Sequence, residues 1–208
     1  DGLVVHLHWC SVFESGCADD VDGPLRERAW SRDGHALAAP APSPADILFQ
    51  SCVHATRAES RSTADHLLDA ATVIRHGGEP LDWVLVDALA GAAHLRLRLH
   101  RVLRFLAAEF DVSVPPGLRG HGDDAYLPVE LQEAKWLWHA PGFAGGLPVS
   151  WCRYLRRFPD GKAGALGLPG FPGFLYRHWG ARSPLHWASL LARRTVRQIR
   201  LQVRRPRT

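Results

Sequence analysis

Thiol chemistry has little to work with in this chain. Its four cysteines, Cys10, Cys17, Cys52 and Cys152, lie far apart, and no two form a C-x-x-C pair. That spacing excludes a zinc ribbon and a thioredoxin-type redox motif. Nothing in it points to an oxidising compartment, so reduced, partly buried thiols in a cytoplasmic protein are expected. The chain also lacks a G-x-S-x-G elbow, an H-E-x-x-H helix and a P-loop. Three common enzymatic signatures are thereby removed. The glycines between Gly161 and Gly173 are interleaved with proline and apolar residues and follow no strand, so they do not read as a phosphate cradle. No run of about 18 or more apolar residues occurs, and no membrane span is expected. The N-terminus reads Asp-Gly-Leu-Val-Val, without a methionine or a basic leader, and does not read as a signal peptide. A chain that opens directly on a strand-like run reads instead as part of a longer protein.

What is present is ordinary globular material. The 208 residues are 46% hydrophobic and 22% charged, enough for one domain, or one domain with a short appended segment. The net charge of +4 hides an asymmetry. Residues 193–208 hold seven arginines (Arg193, Arg194, Arg197, Arg200, Arg204, Arg205 and Arg207) and no acid. Removing those seven from the 25 basic residues leaves 18 against 21 acidic ones. The body is mildly acidic and the tail strongly basic. Such a tail suits an acidic partner, phosphate or lipid headgroups, or is simply a solvated helix face.

In chain order, Leu3 to Trp9 (LVVHLHW) is the natural strand. Leu3, Val5, Leu7 and Trp9 fall on one side of it, and Val4, His6 and His8 on the other. A lone strand is unstable. Only His35 to Ala39 offers a second, weak one, so the partner strands are expected upstream of residue 1. The acidic run around Asp19, Asp20 and Asp22 lacks the glycine and distal glutamate of a calcium loop and reads as solvated. Pro24 to Trp30 suits a short helix. Four helices then follow. The first is capped by Ser43, with Pro44 and Asp46 in its first turn, and runs to about Ala58. The second is capped by Ser62, with Asp65 completing a capping box. It buries Leu67, Leu68, Ala71 and Ile74 and stops at Gly77-Gly78. The third starts at Asp82 and carries a stripe of Leu81, Val84, Leu85, Ala88 and Leu89. The fourth spans about His94 to Phe110, with Leu95, Leu99, Val102, Leu103, Leu106 and Phe110 inward and its arginines outside. Pro115-Pro116 closes the bundle. A further helix is expected over Pro128 to His139, mostly loop over 141–173, and an amphipathic helix from Ser183-Pro184 to about Val203. The expected fold class is mainly α: a helical bundle behind a short N-terminal β element. Its parts are residues 1–39, the bundle 40–116, and an irregular Gly/Pro/Trp-rich segment with a basic helix over 117–208.

Chemistry-bearing residues are sparse. His6 and His8 share one side of the strand, and two such histidines bind a metal when a third ligand converges. His54 and Asp69, on the first two bundle helices, are the candidates to support them. The competing reading is structural, with His8 hydrogen-bonded to the bundle and Trp9 packed on it.

The order of these features carries a resemblance. His6-Leu7-His8-Trp9, then Asp46-Ile47-Leu48 leading to His54, then Arg61 to Asp69, then Leu81-Asp82-Trp83, then Ala92-Ala93-His94-Leu95 resembles the uncharacterised nucleotidyltransferase family. That family is a branch of the polymerase-β-like nucleotidyltransferase superfamily. The resemblance covers residues 1–116. It implies transfer of a nucleotidyl group from an NTP to an acceptor, with Mg²⁺ held by carboxylates, because a hard cation prefers oxygen. It also implies that the N-terminal strand belongs to an α/β sheet. Two departures stand out. No Gly-Ser turn with an Asp-x-Asp strand precedes the bundle; Asp20-Val21-Asp22 has the letters but follows the HLHW strand. Where the family's third carboxylate is expected stands His6, and imidazole is a poor Mg²⁺ ligand. The chain therefore reads as incomplete or degenerate for catalysis. Two other readings stay open: a non-catalytic helical interaction module with a basic C-terminal partner-binding helix, and a basic nucleic-acid or membrane-surface binder.

Overall fold

The computed structural model describes residues 23–25, 27, 42–57, 63–76, 80–120, 122–139, 146–158 and 164–203. The chain is mainly helical, and no strand occurs among the described residues. The proposed strand Leu3 to Trp9, the acidic loop after it and His35 to Ala39 lie outside them. A short helical stretch at residues 23–25 falls where one was expected. The chain divides into two compact units, Asp1–Ala125 and Tyr126–Thr208.

The first unit is built around α1 (Pro44–Ala55). Its start is over-determined. Ser43 Oγ accepts from Asp46 N–H at 3.2 Å, Ser43 N–H donates back to Asp46 Oδ2 at 3.3 Å, and Pro44 occupies the first helical position. This reciprocal pair satisfies two orphan donors of the helix end. Sequence reasoning placed a capping box one helix later, at Ser62, which lies outside the described residues. Ala45, Leu48, Phe49, Cys52, Val53 and Ala55 are all buried, and so are Asp46 and Ser51. A helix covered on nearly all sides sits inside a unit rather than on its surface. Full burial of Leu48, Phe49 and Val53 contributes about 1.5–3 kcal/mol each.

Three helices cover α1: α2 (Thr63–His76), α3 (Trp83–Ala92) and α4 (Arg96–Glu109). The α1–α2 packing is the most extensive, and the small buried residues Ala70 and Ala71 allow it. Leu68, expected inside, is exposed. On α3 the stripe is shifted. Val84 is 81% exposed, while Val86, Leu89, Ala90 and Ala93 are buried. The expected stripe was counted from Leu81. That residue precedes the helix, whose N-cap is Asp82 with Oδ1 accepting from Leu85 N–H at 2.9 Å, so it does not set the helical phase. On α4 the expected apolar positions are inward, but Arg98 and His100 are buried as well. The first two turns of α4 are covered on more than one side. After α4, Val112, Val114 and Leu118 return to the same core, the last from a 3-10 turn over Pro116–Leu118. Arg75 at the end of α2 donates to the Phe110 carbonyl at the end of α4, tying two helix termini together.

The turn from α3 to α4 carries the Ala92–Leu95 motif. His94 has φ 53. His94 N–H donates to Gly91 O and Leu95 N–H to Ala90 O, at 3.0 and 2.8 Å. This is a Schellman stop with histidine in the left-handed position usually held by glycine. Leu95 follows it into the core, fully buried.

The second unit holds α5 (Pro128–His139), α6 (Leu147–Leu155), α7 (Gly164–His178) and α8 (Pro184–Val203). Helices α6 and α7 replace most of the loop expected over 141–173. The glycines and prolines of α7 argue locally against a helix, and tertiary packing overrides them. Tyr154, Phe174 and Leu175 form a small buried cluster with Trp151, Phe171 and Trp179 against it. Gly170 is the position where the Tyr154 hydroxyl comes closest, and a Cβ there would collide with it. Helix α7 ends on Gly180, φ +63, in a second Schellman stop: Ala181 N–H donates to Tyr176 O at 3.0 Å.

Candidate functional site

Of the four residues singled out from the sequence, His6 and His8 lie outside the described residues. The other two fall on neighbouring helices. His54 is half-buried in the last turn of α1. Its ring meets His66 of α2 edge-on, with centroids 5.2 Å apart and planes at 69°. Asp69 is exposed, three residues beyond His66 on α2. Among the described residues no three His, Cys, Asp or Glu side chains gather to hold a metal. Sequence reasoning missed His66. The signal for it was present, since a side chain on α2 that precedes the buried Ala70 by one turn also faces α1.

Two further polar clusters were not foreseen. The first joins α3 to α4. Arg96 grips Asp87 with a two-pronged contact, Nε to Oδ1 at 3.0 Å and Nη2 to Oδ2 at 2.8 Å. His100, one turn on and buried, sets Nε2 at 3.8 Å from Asp87 Oδ1. The Arg96 guanidinium lies over Gly91, where a Cβ would come within 2.9 Å of it. The Arg–carboxylate fork is geometrically specific, but it is half-exposed and so contributes little to stability.

The second cluster is buried in the second unit. Glu133 of α5 receives Arg153 Nε at 3.3 Å on Oε1 and Arg156 Nη2 on Oε2. Glu133 and Arg156 side chains are each only 2% exposed. Arg153 also lies 3.5 Å from His178 Nε2. The His178 ring stacks on Phe174 at 4.9 Å, and Arg157 sits 5.0 Å over the same Phe174 ring. Burial, and then the charge of nearby Arg177, lower the Arg157 guanidinium from its ordinary value. One carboxylate between two guanidiniums crosslinks α5 to α6. It supplies no nucleophile and no oxygen-rich cation cage.

No family model, curated protein or solved structure matches this chain. The reading of the site therefore rests on its own residues. The thiols take no part in it: Cys52 and Cys152 are free and buried, and burial pushes the Cys152 thiol up to about 11 and Cys52 higher still. Neither is a thiolate nucleophile near neutral pH. Among the described residues no helix is long and apolar enough to cross a membrane.

Proposed function

We propose that this chain supplies the helical part of a nucleotidyltransferase-type protein, one that moves a nucleotidyl group from an NTP to an acceptor. The observation that carries the reading is the placement of the motif residues in the first unit. Asp46 caps α1, His54 ends it, Asp69 lies on α2, Asp82-Trp83 open α3, and Ala92 to Leu95 form the stop between α3 and α4. The described elements of the resemblance thus fall on a helix start, a helix stop or the neighbouring helices α1 and α2, while His6 to Trp9 lie outside the described residues. In this reading the helices shape the nucleotide or acceptor side of a cleft.

Mg²⁺ does not fit the described residues. His54 and His66 present imidazole, Asp69 stands by itself in solvent, and a hard cation requires several oxygens. The carboxylates for such an ion belong, in this proposal, outside the described helices, and the described residues are given no metal-dependent step. The test is calorimetric titration with ATP, CTP, GTP and UTP, with and without Mg²⁺. Saturable binding of one nucleotide, weakened by His54→Ala or by His6→Ala with His8→Ala, supports the reading. No heat with any of the four refutes a nucleotide pocket in this chain.

A second reading is favoured by a different observation. Helix α8 is basic, and Leu185 and Val196 on it are exposed. We infer from this a helical interaction module whose C-terminal helix meets an acidic partner.

A further inference from the structure

Helix α8 runs for 20 residues, Pro184–Val203, or about 30 Å. Its start is fixed by Ser183 Oγ, which accepts from His186 N–H at 3.1 Å, while His186 Nδ1 accepts from Arg182 N–H at 3.1 Å. Among the described residues no other helix makes an extensive contact with it. It carries two apolar ridges. Trp187, Leu190 and Leu191 form the half-buried one. The other is open: Leu185 is 84% exposed, Val196 is 46% exposed, and Ala188 and Ala192 between them are exposed too. Arg193 is exposed on its flank, and six further arginines follow in the sequence. No acidic residue occurs anywhere after Asp160, so the segment has no means of neutralising that flank itself.

The occupant of such a ridge has to satisfy both halves. A second copy of the chain would set one arginine row against another, which is unfavourable. A nucleic acid would take the arginines and leave the apolar ridge in water. A lipid surface gains about 0.8 kcal/mol per buried CH₂, and the middle of this ridge offers only the methyls of Ala188 and Ala192. Those same alanines let a partner helix approach to the usual interaxial distance of about 8–10 Å. Arginines flanking an apolar seam are what pair with glutamates on a facing helix.

Building on the interaction-module reading, we propose that α8 docks an acidic amphipathic helix of a partner protein, its apolar side against Leu185, Ala188, Ala192 and Val196 and its carboxylates against Arg193 and the arginines that follow. The test uses the full chain and four fluorescent probes: a heptad peptide with Leu and Ala at the seam and Glu at the flanks, a scrambled peptide of identical composition, vesicles of phosphatidylserine with phosphatidylcholine, and a single-stranded oligonucleotide. The heptad peptide should bind at least about tenfold tighter than the scrambled one. Leu185→Glu and Val196→Glu should each remove that preference without changing the far-ultraviolet circular dichroism, since both residues are exposed. Arg193→Glu should weaken binding and flatten its salt dependence. Equal binding of both peptides overturns helix docking while leaving a basic partner-binding tail. Preferential binding of vesicles or oligonucleotide, or no binding to any probe, overturns both.

Discussion

Replacing Gly170 isolates one oxygen atom as the reason for a glycine. A Cβ at residue 170 would collide with the Tyr154 hydroxyl, whereas the ring carbons behind it, at 3.4 and 3.8 Å, are at ordinary contact. Tyr154 has little freedom to swing aside. Its ring is packed against Trp151, Phe158, Phe171 and Phe174, with centroids 5.6, 5.3, 5.5 and 5.4 Å away. Gly170→Ala therefore combines two opposed effects. Overpacking costs about 1–3 kcal/mol, and the better helix former returns about 0.5–1 kcal/mol. The net should be a loss of about 1–2 kcal/mol. In a Tyr154→Phe background the obstructing oxygen is gone, and the same substitution should stabilise by about 0.5–1 kcal/mol. Urea denaturation of the four proteins, followed by tryptophan fluorescence, gives the cycle. The expected coupling is about 2 kcal/mol, well above the roughly 0.3–0.5 kcal/mol within which independent sites add. Additive substitutions would refute the account of this glycine, and of why α7 is a helix at all.

Glu133→Ala should cost about 3–5 kcal/mol, because it removes the shared carboxylate from two buried guanidiniums; a loss below about 1 kcal/mol in urea denaturation would mean that the pair behaves as a solvated one. Gly180→Ala meets nothing within 4 Å of the new Cβ, so its cost is backbone strain alone, about 1 kcal/mol at a left-handed residue; the same denaturation checks it, and no loss would contradict the stop drawn at the end of α7. Burial pushes the Cys152 thiol up from its ordinary value of 9.0 to about 11 in the folded chain. A raised folded-state value gives stability that is complete below the unfolded value and lost as pH rises from 9 towards 11. Denaturation midpoints should fall over that window in the parent and fall less in Cys152→Ala. Alkylation mapped by mass spectrometry should likewise spare Cys52 and Cys152 in the folded chain at about pH 8 and label both in urea.

The first unit was largely legible in the sequence because its helices announce their ends. Ser43-Pro44, Asp82 and the break near Pro115 are local signals, read without knowledge of what packs where. Phase was harder. The α3 stripe was counted from Leu81, which is not helical; Val84 and Ala88 came out exposed, while Leu85 and Leu89 met the core. Arg98 and His100 are polar by type, and only the covering of α4 by its neighbours buries them. The second unit was hardest. Gly164 to Gly173 spells a loop by every local rule, and the packing of Gly170, Phe171 and Phe174 on Tyr154 of α6 offsets that. The Glu133 cluster joins residues twenty or more apart in sequence, and no spacing rule reaches that far. For the candidate site, His54 was named as a support for the His6 and His8 pair, whereas its ring partner His66 emerged only when α1 and α2 lay side by side.

The enclosure of α1 has a consequence for motion. A surface helix frays or peels from its solvent side while its neighbours hold. On helix α1 that side is only a narrow stripe through Ile47, Gln50 and His54, so exposing the amides of its buried face to solvent requires α2, α3 or α4 to come away first. Its amide protons around Leu48 to Val53 should then exchange with deuterium only through the largest opening of the first unit, at the rate of global unfolding. They would report the stability of that whole unit, while the termini of α2 and α3 exchange ahead of them.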